Sequence, residues 1–185
     1  MRKNFGVKPM VYPMPVFIIG TYGKDGEPNA MNAAWGGITE ENEITICVSE
    51  DHKTTENFTH SGAFTVSMAT ERYVTECDYV GIVSGNKVKN KLERCGLHTV
   101  KSEFVDAPII TELPMAIECR VKCYDPDTCR LVGEIVNVSC DESILTDGRI
   151  DPDKLRPITY DSANHTYRVI GEVVGKAFSD GLKIK

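Results

Sequence analysis

The chain lacks a long apolar run. The longest near its start, residues 16–19 (VFII), follows Pro13 and Pro15 and falls far short of the roughly 20 residues of a membrane helix. No membrane association is expected, and a cytoplasmic location is. Positive charge is not in excess either: 21 Lys and Arg stand against 27 Asp and Glu, for a net charge of −6. That balance argues against nucleic acid or an anionic lipid surface as the main partner, while leaving room for a local basic pocket. There is no G-x-G-x-x-G after a strand, so no separate dinucleotide domain is expected. Internal repeats, low-complexity stretches and linkers are also missing, and 185 residues then read as a single domain over 1–185. Tryptophan is nearly absent, with Trp35 alone.

Cysteine is not scarce. Seven residues, an odd number, fit reduced core thiols better than a disulfide framework. Cys119 and Cys123 fall in an alternating, strand-like run, which puts them on one face about 13 Å apart at ~3.3 Å per residue. Two ligands of one zinc ion lie much closer together, so no metal site is expected.

The strand signals are many and short. Residues 16–22 (VFIIGTY) read as a buried strand, Asp25-Gly26 as a tight turn, and residues 29–38 as the returning strand. Residues 43–49 and 63–69 alternate as further strands, separated by a short helix over 54–61 that Gly62 stops. Residues 71–96 carry helical character near 73–79 and 87–95, with a turn at Ser84-Gly85-Asn86. Two long strands, 115–124 and 131–140, flank the turn Asp125-Pro126-Asp127. Their pattern puts Glu118, Arg120 and Lys122 on a wet face. Residues 144–153 read as loop and 158–170 as strand. The class is mainly β, a small β-barrel with short helices, because strands and helices do not interleave as in a doubly wound sheet.

Two segments carry chemistry. In residues 49–55 (SEDHKTT), His52 and Lys53 stand at a helix start, where free N–H groups and the helix dipole favour anions. Two cations there, followed by the hydroxyls of Thr54 and Thr55, are explained by a phosphate among them. Ser49 and Thr54 also fit helix capping, which uses the same N–H groups. In residues 29–35 (NAMNAAW), Ala33 and Ala34 let a flat ring approach the backbone. The Asn32 amide suits a mixed donor–acceptor edge, or a bond to a neighbouring strand. Asn29 fits a turn role as well as a ligand role, and Trp35 fits either the core or the border of a bound ring.

These segments, with residues 13–22 (PMPVFIIGTY), 64–68 (FTVSM), 78–87 (DYVGIVSGNK), 131–138 (LVGEIVNV) and 164–171 (NHTYRVIG), occur in an order that resembles the flavin reductase-like, FMN-binding split-barrel proteins, and within them the flavoredoxin branch. The resemblance implies a six-stranded Greek-key barrel, a homodimer, and one FMN per subunit near the subunit interface. It implies ring contacts along Met31, Asn32, Ala33, Ala34 and Trp35, phosphate and ribityl contacts from His52, Lys53, Thr54 and Thr55, and a covering loop at Ser84 and Gly85. The electron donor is NAD(P)H or a protein. Members that use free flavin often carry a histidine where this chain reads Asp127-Thr128-Cys129, which argues against direct NAD(P)H use. A flavin-binding or structural module without turnover is the alternative from another class.

Overall fold

A computed structural model describes residues 1–184. Its first strand, β1 (Phe17–Tyr22), turns at Gly23–Gly26 into β2 (Pro28–Ala33), which pairs with it antiparallel from Phe17–Ala33 to Tyr22–Pro28. The expected single strand over 29–38 is interrupted at Ala34 and Trp35. The chain resumes as β3 (Gly36–Glu40), paired with β4 (Glu43–Cys47). Helix α1 (Lys53–Ser61) then leads to β5 (Ala63–Met68), and the long strands β8 (Met115–Asp125) and β9 (Arg130–Cys140) complete the sheet.

The order across the sheet is β2-β1-β5-β8-β9-β4-β3. Its two edges, β2 and β3, are consecutive in the chain, so the sheet curls until its first and last strands are two halves of one interrupted strand. Ala33 pairs with Phe17 on one edge, and the Trp35 carbonyl already accepts the Cys47 N–H at 2.8 Å on the other. Counting β2 and β3 as one strand gives the six-stranded barrel, open at Ala34 and Trp35. The passage from β4 to β5 crosses the barrel end through α1, which makes the connection a Greek key.

The barrel interior is filled by Phe17, Ile19, Ile44, Ile46, Phe64, Val66, Ile117 and Leu131. Phe58 of α1 plugs one end with its ring 5.3 Å from that of Tyr124. Gly62 closes α1 in the left-handed conformation (φ 69°), its N–H on the Phe58 carbonyl at 2.9 Å, as the sequence predicts.

A second core lies outside the barrel. Ile18 and Ala30 face outward from β1 and β2 and are covered by α2 (Val74–Ile82) and α3 (Lys91–Arg94) through Cys77, Val80 and Leu92. The hairpin of β6 (Thr99–Lys101) and β7 (Pro108–Ile110) adds Ile110, and a second hairpin of β12 (Ile158–Asp161) and β13 (Thr166–Val169) adds Ile158. Between the two hairpins lie the two-residue strands β10 (Leu145–Thr146) and β11 (Arg149–Ile150) and the single-turn α4 (Pro152–Leu155). Because β1 is buried on both faces, it reads as a continuous apolar run instead of an alternating one.

Several expectations are corrected. The helix expected over 87–95 is confined to α3, and residues 83–90 form an irregular loop ending at Asn90 with φ 53°. The strand expected over 158–170 is a hairpin. The pairing of β8 with β9 has two register shifts: at Glu118/Cys119 the extra residue, Val136, is on β9, and at Val121/Cys123 it is Lys122, which breaks the alternation in β8. The second shift turns Tyr124 instead of Cys123 toward the core, so Cys119 is buried while Cys123 is exposed. Glu118 is not on a wet face. It is 1% exposed, beneath the loop after β6, and accepts from Ser102 Oγ, from Asn137 Nδ2 at 2.7 Å and from Ser139 Oγ at 2.8 Å. Three donors let the carboxyl stay buried. Of the cysteines, only Cys77 and Cys119 are fully buried, so the expected set of core thiols holds only in part.

Candidate functional site

The gap in the barrel opens onto a continuous cleft between β2, α2 and the start of α1. One chamber, of about 350 Å³, is lined by Asn29, Met31, His52, Lys53 and Thr54 on one side and by the loop through Ser84, Gly85 and Lys87 on the other. The neighbouring groove, of about 690 Å³, is lined by Met31, Asn32, Ala33, Ala34, Trp35, Ser49 and His52. Met31, His52, Gly81 and Ile82 border both. The sequence-predicted site residues therefore converge on one cleft, apart from Thr55. That side chain turns inward, 5% exposed, and its hydroxyl donates to the Ser49 carbonyl at 2.7 Å, which makes it a brace for the turn before α1.

Local geometry follows from α1. His52 occupies the N-cap position in extended backbone (φ −76°, ψ 141°), and its carbonyl accepts from the N–H groups of Thr55 and Glu56 at 3.0 and 3.2 Å. No side chain caps the helix, so its first N–H groups are open toward the chamber. Lys53 is less isolated than expected, because it pairs with Glu56 at 3.0 Å within the first turn. Thr54 Oγ1 accepts from Asn29 Nδ2 at 3.1 Å, tying α1 to β2. Trp35 is 60% exposed at the lip of the groove and is no core residue.

Further residues at the cleft come from α2, α3 and the hairpin β12–β13; of these, sequence reasoning singled out only the segment with His165 and Tyr167. Lys91 is 4% exposed, lines the smaller chamber and donates to the carbonyls of Val80 at 3.1 Å and Val83 at 2.8 Å. Burial without a carboxylate partner pushes its ammonium down to about 8. A lysine inside an otherwise apolar helix contact was the available signal. On the groove side stand Asp78, Tyr160, Tyr167 and two thiols, Cys47 and Cys129. The Tyr167 hydroxyl donates to Asp78 Oδ1 at 2.7 Å, and burial together with that carboxylate pushes the phenol far up. Tyr160 Oη shares a hydrogen bond with His165 Nδ1 at 2.9 Å. Gly81 allows α2 to lie directly on β2, since a Cβ there would stand 2.8 Å from Asn32 Cβ.

The cleft is also where hydrogen-bonding capacity goes unused. Five buried side-chain atoms among the described residues have no partner, and three of them, Asn29 Oδ1, His52 Nδ1 and Asn57 Oδ1, stand at or beside this cleft. Each such atom costs about 1–3 kcal/mol if left unsatisfied. No group of three or more metal-ligating side chains occurs among the described residues, and no described helix is long and apolar enough to cross a membrane.

The sequence profile of the flavin reductase-like domain matches residues 10–175. The chain belongs to the flavin reductase-like family. Among solved structures similar to this family member is the flavoredoxin of Desulfovibrio vulgaris (Miyazaki F), 39% identical, which covers 98% of this chain and 100% of its own with a TM-score of 0.94. The flavoredoxin from Methanosarcina acetivorans is 28% identical over 100% of both chains with a TM-score of 0.87. An FMN-binding protein from Thermus thermophilus, solved with bound 1-cyclohex-2-enone, shares the fold at 18% identity, covering 95% of this chain and 99% of its own, with a TM-score of 0.77. The split barrel of this flavin reductase-like chain is thus the fold of its relatives, and the cleft lies where its interrupted strand leaves the barrel open.

Proposed function

We propose that this protein binds FMN in the cleft and works as a flavoredoxin-type electron carrier. The observation that carries the reading is the polarity of the cleft. A chamber with Lys53, Lys87, Lys91 and an open helix start adjoins a groove floored by Ala33 and Ala34, and FMN has a doubly charged phosphate at one end and a flat ring at the other. Likeness to two flavoredoxins along the whole chain supports the same reading.

Lys53, Thr54 and the first N–H groups of α1 would hold the phosphate, with Lys87 of the loop after α2 and Lys91 of α3 facing them. The unpartnered Asn29 Oδ1 and His52 Nδ1 would take donors from the ribityl hydroxyls. The strand end at Asn32, Ala33 and Ala34 would hold the ring, with Trp35 and Ile82 shielding its border from water. Bound FMN supplies one- or two-electron transfer, and the protein supplies binding and orientation. Asn32 has one donor committed, from Nδ2 to the Cys77 carbonyl at 3.1 Å, which orients its amide toward the groove.

A protein donor is favoured over direct NAD(P)H use because positions 127–129, before β9, read Asp-Thr-Cys with no histidine, and Thr128 and Cys129 line the groove. The reading also takes the protein as a cytoplasmic homodimer. The test is spectroscopic: purified protein, or protein incubated with FMN, should absorb near 450 nm (about the general flavin band). A colourless preparation that does not bind FMN defeats the flavin reading. NADH or NADPH oxidation well above background would replace the carrier with a reductase.

A further inference from the structure

Two thiols on the wall of the groove have no role in the function proposed above. Cys47 ends β4, and Cys129 is the last residue of the turn between β8 and β9. The register of β4 with β9 sets Cys47 opposite Arg130, and the next step of the ladder is a bond from the Val48 N–H to the Cys129 carbonyl at 2.8 Å. Cys47 and Cys129 are therefore diagonal neighbours on paired strands. Facing Cα atoms in such a ladder are about 4.5–5.5 Å apart, which puts this diagonal pair at roughly 6 Å, inside the ~4.4–6.8 Å that a disulfide spans. Both residues line the same groove, and both thiols are free.

The backbone at Cys129 is a second observation. Its φ is 56°, in the left-handed region that glycine or asparagine ordinarily fills in a hairpin turn. A cysteine there carries a steric cost that glycine would avoid. The same conformation takes Cys129 out of the strand alternation. Val48, opposite it, belongs to the barrel core, while Cys129 reaches the groove beside Cys47. The other exposed thiol, Cys123, is out of reach. It pairs with Val132, three residues beyond Cys129 and so about 10 Å along the strand at ~3.3 Å per residue. From Cys47 it is separated by the full width of β9.

We propose that Cys47 and Cys129 are a reversible dithiol–disulfide couple, through which the protein exchanges two electrons with a low-molecular-weight disulfide. The two residues open into a groove instead of onto a flat face, so the partner is a small molecule. Cys47, the more exposed of the two, loses its proton and attacks one sulfur of the incoming disulfide. That S–S bond breaks and one thiol leaves. Cys129 then loses its proton and attacks Cys47 Sγ, which closes the Cys47–Cys129 bond and releases the second thiol. The protein is oxidised by two electrons and the small disulfide is reduced by the same two. The two protons that the protein loses are taken up by the two released thiols. The exchange needs no flavin, so it is independent of the function proposed above.

Full-length protein, stripped of flavin and fully reduced, is incubated with oxidised glutathione, and its thiols are counted and its peptides mapped by mass spectrometry. The wild type should lose two thiols, retain no glutathione and yield a Cys47–Cys129 cross-linked peptide. Excess reduced glutathione should restore both thiols. Cys123→Ser should behave as the wild type does. Cys129→Ser should instead hold glutathione on Cys47, because no second thiol is there to release it. A lasting glutathione adduct on wild-type Cys47, a bridge to any other cysteine, or no loss of thiols overturns the couple. The wild-type measurement decides by itself, whatever the stability of the variants.

Discussion

Asn29 and Thr54 stand 25 residues apart in sequence and are joined by a hydrogen bond of 3.1 Å from Nδ2 to Oγ1. The bond locks the strand that borders the groove to the helix turn that carries Lys53. The two walls of the cleft are thereby set against each other by one contact, and the leftover Asn29 Oδ1 is buried beside them without a partner.

The phosphate role of Lys53 is separable from general cleft integrity. Lys53→Ala should weaken FMN about tenfold, roughly 1.4 kcal/mol for one charge-assisted contact partly screened by water. Riboflavin affinity should stay nearly unchanged, because riboflavin carries no phosphate. Fluorescence titration with both ligands checks this, and equal losses would show that Lys53 does not read the phosphate.

Lys91 makes both binding and stability depend on pH above neutrality. Its folded pKa of about 8 lies below the ordinary lysine value of roughly 10.4. Between the two, the unfolded chain holds a proton that the folded chain has lost, so ligand-free stability should rise with pH across that window. FMN affinity should run the other way, falling above pH 8 as the ammonium neutralises. Urea unfolding and FMN titration from pH 7 to about 10 would show both slopes, and Lys91→Met should flatten them.

Thiol reactivity should sort by position. Burial pushes Cys77 and Cys119 up to about 12, so neither should react with an aromatic disulfide reagent in the native protein at mildly alkaline pH. Cys47, exposed and lining the groove, should react readily, and FMN should protect it. Mass spectrometry of the labelled peptides, with and without FMN, is the measurement. An unprotected Cys47 would move the ring away from this wall.

Gly81 is a helix glycine that should not tolerate alanine. In an open helix the change would gain up to about 1 kcal/mol. Here the new Cβ meets Asn32 Cβ at 2.8 Å, and the overpacking costs roughly 1–3 kcal/mol, enough to reverse the sign. Gly81→Ala should lower the unfolding midpoint and weaken FMN by moving Asn32. A stabilised variant with unchanged affinity would mean that α2 can slide without disturbing the groove.

Much of the barrel was legible because its signals are local. Residues 16–22, 43–47 and 63–68 carry β-branched and aromatic residues between turn signals, and Gly62 stops α1 by its own conformational freedom. The bulges between β8 and β9 were not legible. One inserts Lys122, so alternation placed Cys123 beside Cys119; Glu118 failed for another reason, since the loop after β6 covers its face and Ser102 donates to it. The expected helix over 87–95 failed for a related reason. Lys91 reaches back to donate to the Val80 and Val83 carbonyls at the end of α2, a long-range contact that local propensity does not register.

The sequence by itself determined the mainly β class, the helix start with His52 and Lys53, and the small-residue run at Ala33 and Ala34. Propensity, capping and side-chain size act within a few residues and can be read from them. Only the tertiary structure decided that the run of residues 29–38 breaks at Ala34, because the break is forced by closing the sheet, when one strand must serve both edges. It also decided which distant groups reach the cleft: Lys91, Asp78, Tyr160 and Tyr167 arrive from elements far in sequence from residues 29–35 and 49–55. Thr55 went the opposite way, since the turn before α1 needed its hydroxyl more than the cleft did.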